Sequence, residues 1–364
     1  MKTITATFHY GTNYGAVLQT YALHKTILKL GHENYVIDTI QTKQNKIKRK
    51  SLYHIMSDTY VEALNILRYK EITRLKKSFA EFKKKYINLT KPYSSMEELR
   101  ADPFISNADC LIVGSDQVWK LSSRPEMVDS RLLLFGPKNS IRFSYAASLE
   151  EQNYTEDEKI YVKYALDSFR GIGVREESAC KYIESFTNRQ CVRVADPVFL
   201  LTQEEWFSIS ANPRLKGPYI LCYQVQRNKR MEEVAYSLKV KTGYPIVSIC
   251  KDSIRWMKSD YYFHDVSLEE FIGFYKNANY VVSASFHGVA MGLVFNKPVY
   301  AMVKNARSTR LRNVMEIMGL NKFIVNQESN EQIYMYEEKD ILRYKSICEK
   351  ERKNGLNYLR NMLV

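Results

Sequence analysis

The chain has 364 residues, 45% of them hydrophobic, with 54 Lys/Arg against 40 Asp/Glu and a net charge of +14. That length exceeds what one hydrophobic core ordinarily serves, so two domains are expected. No apolar run approaches the roughly 18 residues of a membrane span, no nucleic-acid motif accompanies the positive charge, and the six cysteines lack metal-ligand spacing, as expected of reduced thiols in a cytoplasmic, metal-free protein.

Thr3–Phe8 reads as the first strand, and the stretch from Met1 is too short and polar for a signal peptide. A glycine turn, Tyr10-Gly-Thr-Asn-Tyr-Gly15, leads into a helix over 16–30 with apolar positions at Val17, Leu18, Tyr21, Leu23 and Leu28, closed by Gly31. Tyr35–Ile40 is the next strand, which completes a βαβ opening. From Lys43 to Lys85 there are 13 Lys/Arg and 4 Asp/Glu, a net +9. Apolar residues interleave with that charge, so the segment is either a set of amphipathic helices for an anionic membrane surface or a solvated basic insertion.

Downstream, strands are expected at Asp109–Val113, Arg142–Ala146, Gly171–Val174 and Cys191–Val194, each ending in small or polar residues. Pro213 and Gly217-Pro218 mark a joint, followed by a strand at 219–224, a helix at 229–242, a strand at 245–250 and a helix at 268–277 capped by Ser267. Then comes Tyr280-Val-Val-Ser-Ala-Ser-Phe-His-Gly-Val289, a strand, a tight turn and a helix start. A strand at 298–303, a helix at 310–318 and a helical tail complete the pattern. The expected fold is α/β, with two Rossmann-like domains facing a cleft. Residues 1–211 form the first, with the basic helical insertion at about 43–86, residues 212–336 form the second, and a tail over 337–364 packs back.

Six strand-end motifs occur in order: Gly11-Thr-Asn-Tyr-Gly-Ala-Val-Leu-Gln-Thr-Tyr-Ala-Leu23, Ile112-Val-Gly-Ser-Asp-Gln-Val-Trp119, Ser144-Tyr-Ala-Ala-Ser148, Val174-Arg-Glu-Glu-Ser178, Ala195-Asp-Pro-Val198 and Ser285-Phe-His-Gly288. Together they resemble the polysaccharide pyruvyl transferase family over about residues 8–320. The resemblance implies a GT-B-like fold with the site between domains, phosphoenolpyruvate as donor and a sugar hydroxyl pair as acceptor. It also implies a pyruvate ketal as product, with no metal or organic cofactor.

Phosphoenolpyruvate carries two anionic groups, which call for guanidinium forks or backbone N–H groups. Arg175 matches the family's arginine and is assigned to donor binding, the alternative being an ion pair with Glu176, Glu177 or another acid. Arg310 is the candidate second anion contact. His287 matches the family's histidine and is the candidate general acid for the enol methylene carbon, or else a holder of the leaving phosphate. Some members carry Arg-Leu-His at this turn where this chain has Ser285-Phe286-His287, so one anion contact must come from elsewhere: Arg310, Arg307 or Lys304.

Asp116 either takes a proton from an acceptor hydroxyl or caps its turn. Asn13, Gly15, Gln19, Gln117 and Ser285 complete the expected binding set. Asp196 is expected to cap the exit of its strand. Trp119 is read as a sugar-stacking candidate and Trp206 as core.

The leading expectation is a ketal-pyruvyl transferase acting on a polyprenyl-diphosphate-linked glycan at the inner membrane face, in capsule or exopolysaccharide assembly. The alternatives are a nucleotide-sugar glycosyltransferase on the same fold and a non-catalytic glycan-assembly protein.

Overall fold

A computed structural model describes residues 1–40, 66–121, 127–149, 153–225, 228–250, 255, 257–303, 309–326 and 332–364. Among these, thirteen strands form two sheets, parallel throughout. The first has the order β3-β2-β1-β4-β5-β6-β7, from β1 (Lys2–Ala6), β2 (Glu33–Thr39), β3 (Leu89–Tyr93), β4 (Cys110–Val113), β5 (Ile141–Ala147), β6 (Gly171–Val174) and β7 (Cys191–Arg193). The second has the order β10-β9-β8-β11-β12-β13, from β8 (Ile220–Gln224), β9 (Ile246–Cys250), β10 (Tyr261–Phe263), β11 (Tyr280–Ser283), β12 (Val299–Val303) and β13 (Ile324–Asn326). Central strands such as β4 and β8 are buried at every position, which is why they read as unbroken apolar runs rather than alternating ones.

Strand order reverses between β1 and β4 in the first sheet and between β8 and β11 in the second. Crevices at such reversals, beyond the carboxyl ends of the strands, are where open α/β sheets take ligands. Helix α1 (Tyr14–Lys29) leaves the β1 crevice, with Asn13 capping its first turn through Oδ1.

The basic segment is described only from residue 66, and its part over 43–65 lies outside the described residues. Helix α2 (Tyr69–Tyr86) buries Leu75, Phe79 and Phe82 inside the protein. Its apolar stripe is therefore occupied by the molecule's own core, with most of its lysines left on the outer face. The helix also ties the two halves together: Phe79 packs edge-on to Tyr14, and Arg74 Nε donates to Asp265 Oδ2 at 2.8 Å.

Helices α3 (Glu156–Leu166) and α4 (Glu177–Glu184) cover the first sheet, and α5 (Lys229–Thr242) and α6 (Leu268–Asn277) the second. Helix α7 (Phe286–Val294) lies so close to its sheet that its glycines are packing requirements. A Cβ on Gly288 would come 2.2 Å from Ser283 Oγ, and one on Gly292 would come 2.6 Å from Val299. After α8 (Thr309–Ile317), the tail forms α9 (Glu338–Met362), which spans both halves. Tyr344 donates to the Lys297 carbonyl at 2.9 Å and Tyr358 to that of Ser144 at 3.0 Å, while Arg193 Nη2 meets both Glu351 oxygens at 2.6 Å. No described helix is long and apolar enough to cross a membrane.

Candidate active site

The carboxyl ends of the two sheets face each other, and the strand-end motifs meet there. Tyr14, the first residue of α1, crosses to the second domain, where its ring stacks on Phe271 at 4.2 Å and its hydroxyl donates to the Val266 carbonyl at 2.6 Å. Next to it, Gly15 lies flat against His287: a Cβ at position 15 would come 2.2 Å from Nδ1 of that imidazole. The N-termini of α1 and α7 thus converge on His287. Neither first turn contains an acidic residue, and Ser285 leaves α7 without a side-chain cap bond. Both helix ends direct positive partial charge to the cleft, and α7, without a side-chain cap, also leaves its first N–H groups unsatisfied by its cap residue.

On the first-domain side, Arg175 follows β6 and is 4% exposed. Its Nε donates to Glu176 Oε1 and its Nη1 to Asp196 Oδ2, each at 2.9 Å, and its plane lies 4.2 Å over the Phe286 ring. The third nitrogen, Nη2, is buried without a hydrogen-bond partner. Burial works against the guanidinium charge, but Glu176, Asp196 and Asp116 outweigh it and keep the group firmly charged. The ion pair with Glu176, open from sequence, is therefore present, and it leaves one fork nitrogen for a ligand.

Asp196 does more than cap. Its Oδ1 accepts from Val198 N as a strand-exit cap would, at 3.1 Å. Its Oδ2 accepts from Ser115 Oγ at 2.9 Å and from Arg175, and lies 3.5 Å from His287 Nε2. Burial raises this carboxyl's pKa, but His287, Arg175 and the Val198 N–H overcome that and hold it well below the ordinary range. Glu176 is similarly shared, since Ser148 Oγ also donates to Oε1, at 2.9 Å. Ser115, Ser148, Glu176 and Asp196 were not legible as site residues. The one signal was their position, small polar or acidic residues directly after buried strands.

Arg310, at the start of α8, reaches the same cavity as Arg175, Phe286 and Asp196. It makes no hydrogen bond or ion pair to any described residue. Burial and the neighbouring Arg175 lower its pKa, with only partial compensation from Asp116 and Glu176. A half-buried, unpaired guanidinium beside a second guanidinium is an arrangement that an anion would stabilise. The other two candidates for the missing arginine, Lys304 and Arg307, lie outside the described residues.

Asp116 follows β4 with φ +74°, a left-handed conformation. Its carbonyl is held by Val118 N at 2.7 Å and Ser148 N at 2.9 Å, and aspartate tolerates this region better than most residues. Its carboxylate and Gln117 are half-buried at the cleft edge. Gln19 faces inward instead: it is fully buried, and its amide donates to Thr7 Oγ1 at 3.1 Å and the Phe8 carbonyl at 3.0 Å, bracing the β1 end. Asn13 is exposed and serves as the α1 cap. Trp119 is core rather than a stacking platform, with no exposed surface and Nε1 donating to the Arg131 carbonyl at 3.0 Å, and Trp206 is core as expected. No cluster of three or more metal-ligand side chains occurs among the described residues.

A model of the polysaccharide pyruvyl transferase family matches residues 13–303, and the chain belongs to that family. No curated protein matches the sequence. Similar solved structures include the S. aureus MnaA–UDP co-structure, at 13% identity over 99% of this chain and 96% of that one, with a TM-score of 0.52. UDP-GlcNAc 2-epimerase from Neisseria meningitidis bound to UDP-GlcNAc is 12% identical over 100% and 99%, with a TM-score of 0.51. The Methanocaldococcus jannaschii UDP-GlcNAc 2-epimerase in complex with UDP-GlcNAc and UDP is 12% identical over 100% and 99%, with a TM-score of 0.52. At such identities the likeness is one of fold, and the fold is GT-B-like.

Proposed function

We propose that this transferase moves the enolpyruvyl unit of phosphoenolpyruvate onto a pair of hydroxyls of a glycan, forming a pyruvate ketal and releasing phosphate. The observation that carries the reading is the Arg310 guanidinium, unpaired among the described residues, beside the free Nη2 of Arg175, both within the cavity that also holds Asp196, near the N-terminus of α7, which has no side-chain cap. Among the described residues, the cavity is lined by three guanidiniums, those of Arg175, Arg193 and Arg310, and three carboxylates, those of Glu176, Asp196 and Glu351, with the Asp116 carboxylate near Arg175 and Arg310. Side chains alone therefore do not neutralise a donor with phosphate and carboxylate groups, and the helix N–H groups supply the remainder.

In this mechanism His287 protonates the methylene carbon of the donor, leaving an oxocarbenium-like carbon. One acceptor hydroxyl adds to that carbon, and its proton passes to Asp116. The second hydroxyl displaces phosphate, which departs with the electrons of its C–O bond, and its proton returns to His287 as the ketal closes. The acceptor is a polyprenyl-diphosphate-linked glycan at the cytoplasmic membrane face, where the basic segment meets the anionic leaflet. The reaction needs no metal or organic cofactor.

The test is thermal stabilisation by phosphoenolpyruvate, run beside UDP and GDP. Arg310→Ala is the informative variant, because Arg175 is tied into the fold by two carboxylates and its loss would confound binding with stability. A phosphoenolpyruvate-specific rise that Arg310→Ala abolishes supports the reading. A rise with UDP or GDP and none with phosphoenolpyruvate replaces it with nucleotide-sugar transfer.

A further inference from the structure

The geometry points to Asp196 as a positioning residue that fixes the tautomer of His287 across the domain boundary. Its role in proton transfer rests on the pyruvyl-transfer reading above. Asp196 is 1% exposed, and three separate elements converge on it: Ser115 after β4, Arg175 after β6, and His287 at the start of α7. A carboxylate used only to end a strand would need Oδ1 alone, which the Val198 N–H already occupies. The second oxygen instead gathers two donors and faces a ring nitrogen.

The direction of the imidazole follows from the chemistry of its neighbour. Asp196 is held ionised, and an ionised carboxylate only accepts hydrogen bonds. Nε2 lies 3.5 Å from Oδ2 and has no hydrogen-bond partner in the structure. When this contact shortens by a few tenths of an ångström, Nε2 must be the protonated nitrogen. The neutral ring then keeps its lone pair on Nδ1, the nitrogen that lies against Gly15 at the mouth of α1. Nδ1 is thus the atom left to carry a proton to and from a ligand, and Asp196 is the group that stabilises the imidazolium.

The arrangement also joins binding to chemistry. Oδ2 holds Arg175 through Nη1 while it orients His287, so one buried atom sets the spacing between the anion-binding fork and the proton donor. Arg175 and Asp196 belong to the first domain and His287 to the second, so the orienting contact exists only when the two domains are together.

The deciding measurement is a long-range 1H–15N spectrum of histidine-labelled protein near pH 9, where an ordinary imidazole with a pKa of about 6.5 is neutral. Six histidines make the spectrum tractable, and His287→Gln assigns the signal. The expected wild-type result is an Nε2–H tautomer for His287, and an Nδ1–H tautomer overturns the proposal. This arm needs no donor and no mutant at position 196, so it decides even if Asp196 variants fail to fold. In folded Asp196→Asn the pattern should move towards averaged tautomers and kcat should fall about 10²–10⁴-fold. An unchanged tautomer in that variant also overturns the proposal. An Nε2–H wild type that gives no thermal response to phosphoenolpyruvate leaves the positioning intact and removes the donor reading, so the two failures are distinguishable.

Discussion

Gly15→Ala sets two physical effects against each other at one position. Gly15 sits in the first turn of α1 with helical backbone, and φ is not positive there. Helix propensity alone predicts that alanine would stabilise the protein by up to about 1 kcal/mol. The structure predicts the reverse. A Cβ at this position would come 2.2 Å from Nδ1, 2.4 Å from Cγ and 2.7 Å from Cβ of His287. Rotating the ring about its Cβ–Cγ bond does not move its Cβ, so the clash is relieved only by shifting α7 or by a new His287 rotamer. Reaching ordinary contact requires a displacement of roughly 1 Å, and overpacking of that kind costs about 1–3 kcal/mol. Urea denaturation of a double-mutant cycle separates the two effects without any substrate. The partner substitution is His287→Gly, since alanine there would retain the Cβ at 2.7 Å. In the wild-type background Gly15→Ala should destabilise by about 1–3 kcal/mol, and in the His287→Gly background it should be neutral or stabilising. Additivity within about 0.5 kcal/mol would refute the packing of α1 against α7. A displacement near 1 Å should also cost about 100-fold in turnover.

Arg310→Ala should weaken phosphoenolpyruvate binding by about tenfold to a hundredfold, measured by calorimetry, with the melting temperature moving by less than about 2 °C because the side chain has no partner among the described residues to lose. Tyr14→Phe keeps the stack on Phe271 but strands the Val266 carbonyl, and should cost about 1–2 kcal/mol in denaturant unfolding. His24 gives a pH signature away from the site. Burial, with Lys25 adding to it, lowers its pKa from 6.5 to about 4, and its Nδ1 accepts from the Asn34 amide at 2.9 Å. The unfolded chain takes a proton at ordinary histidine pH while the folded one resists it. This contribution is therefore full above about pH 6.5 and is lost as pH falls towards 4, by roughly 3 kcal/mol. His24→Gln should flatten that part of the stability–pH curve.

What the sequence disclosed follows from which signals are local. The helix at Lys229–Thr242 was readable to its ends because Asn228 caps one and Gly243, left-handed at φ +74°, closes the other. The helix at Leu268–Asn277 was readable because Ser267 caps it. Strand β3 is absent from the sequence reading; it is five residues long, contains Pro92 and lies at a sheet edge, where proline is tolerated. β10 and β13 are three-residue edge strands, too short to display a period. Within the site, Arg175 and His287 stood out by residue type. Asp196 did not, since a cap needs only one carboxylate oxygen and the uses of the other depend on three elements far apart in sequence. Gln19 shows the converse. Its place after a glycine turn suggested a cleft role, yet the helix phase turns it inward, onto Thr7 and Phe8.

The closeness of the two domains bears on how the site would work. The cavity shared by Arg175, Asp196, Phe286 and Arg310 holds about 20 Å³, room for a single water and far less than a phosphoenolpyruvate needs. A ligand of that size requires the cavity to widen, and any parting of the domains would separate His287 from Asp196 and Phe286 from Arg175. On the proposed reading, closure of parted domains would assemble the proton donor, its orienting carboxylate and the anion fork in one step. Such assembly on closure matters for an enol phosphate, whose oxocarbenium-like intermediate would be consumed by any water left in the cleft. The inter-domain contacts that close this site, the Tyr14 stack on Phe271 and the Tyr14 bond to Val266, sit one residue from Gly15. The packing that fixes the domain interface is thereby the packing that aims the imidazole.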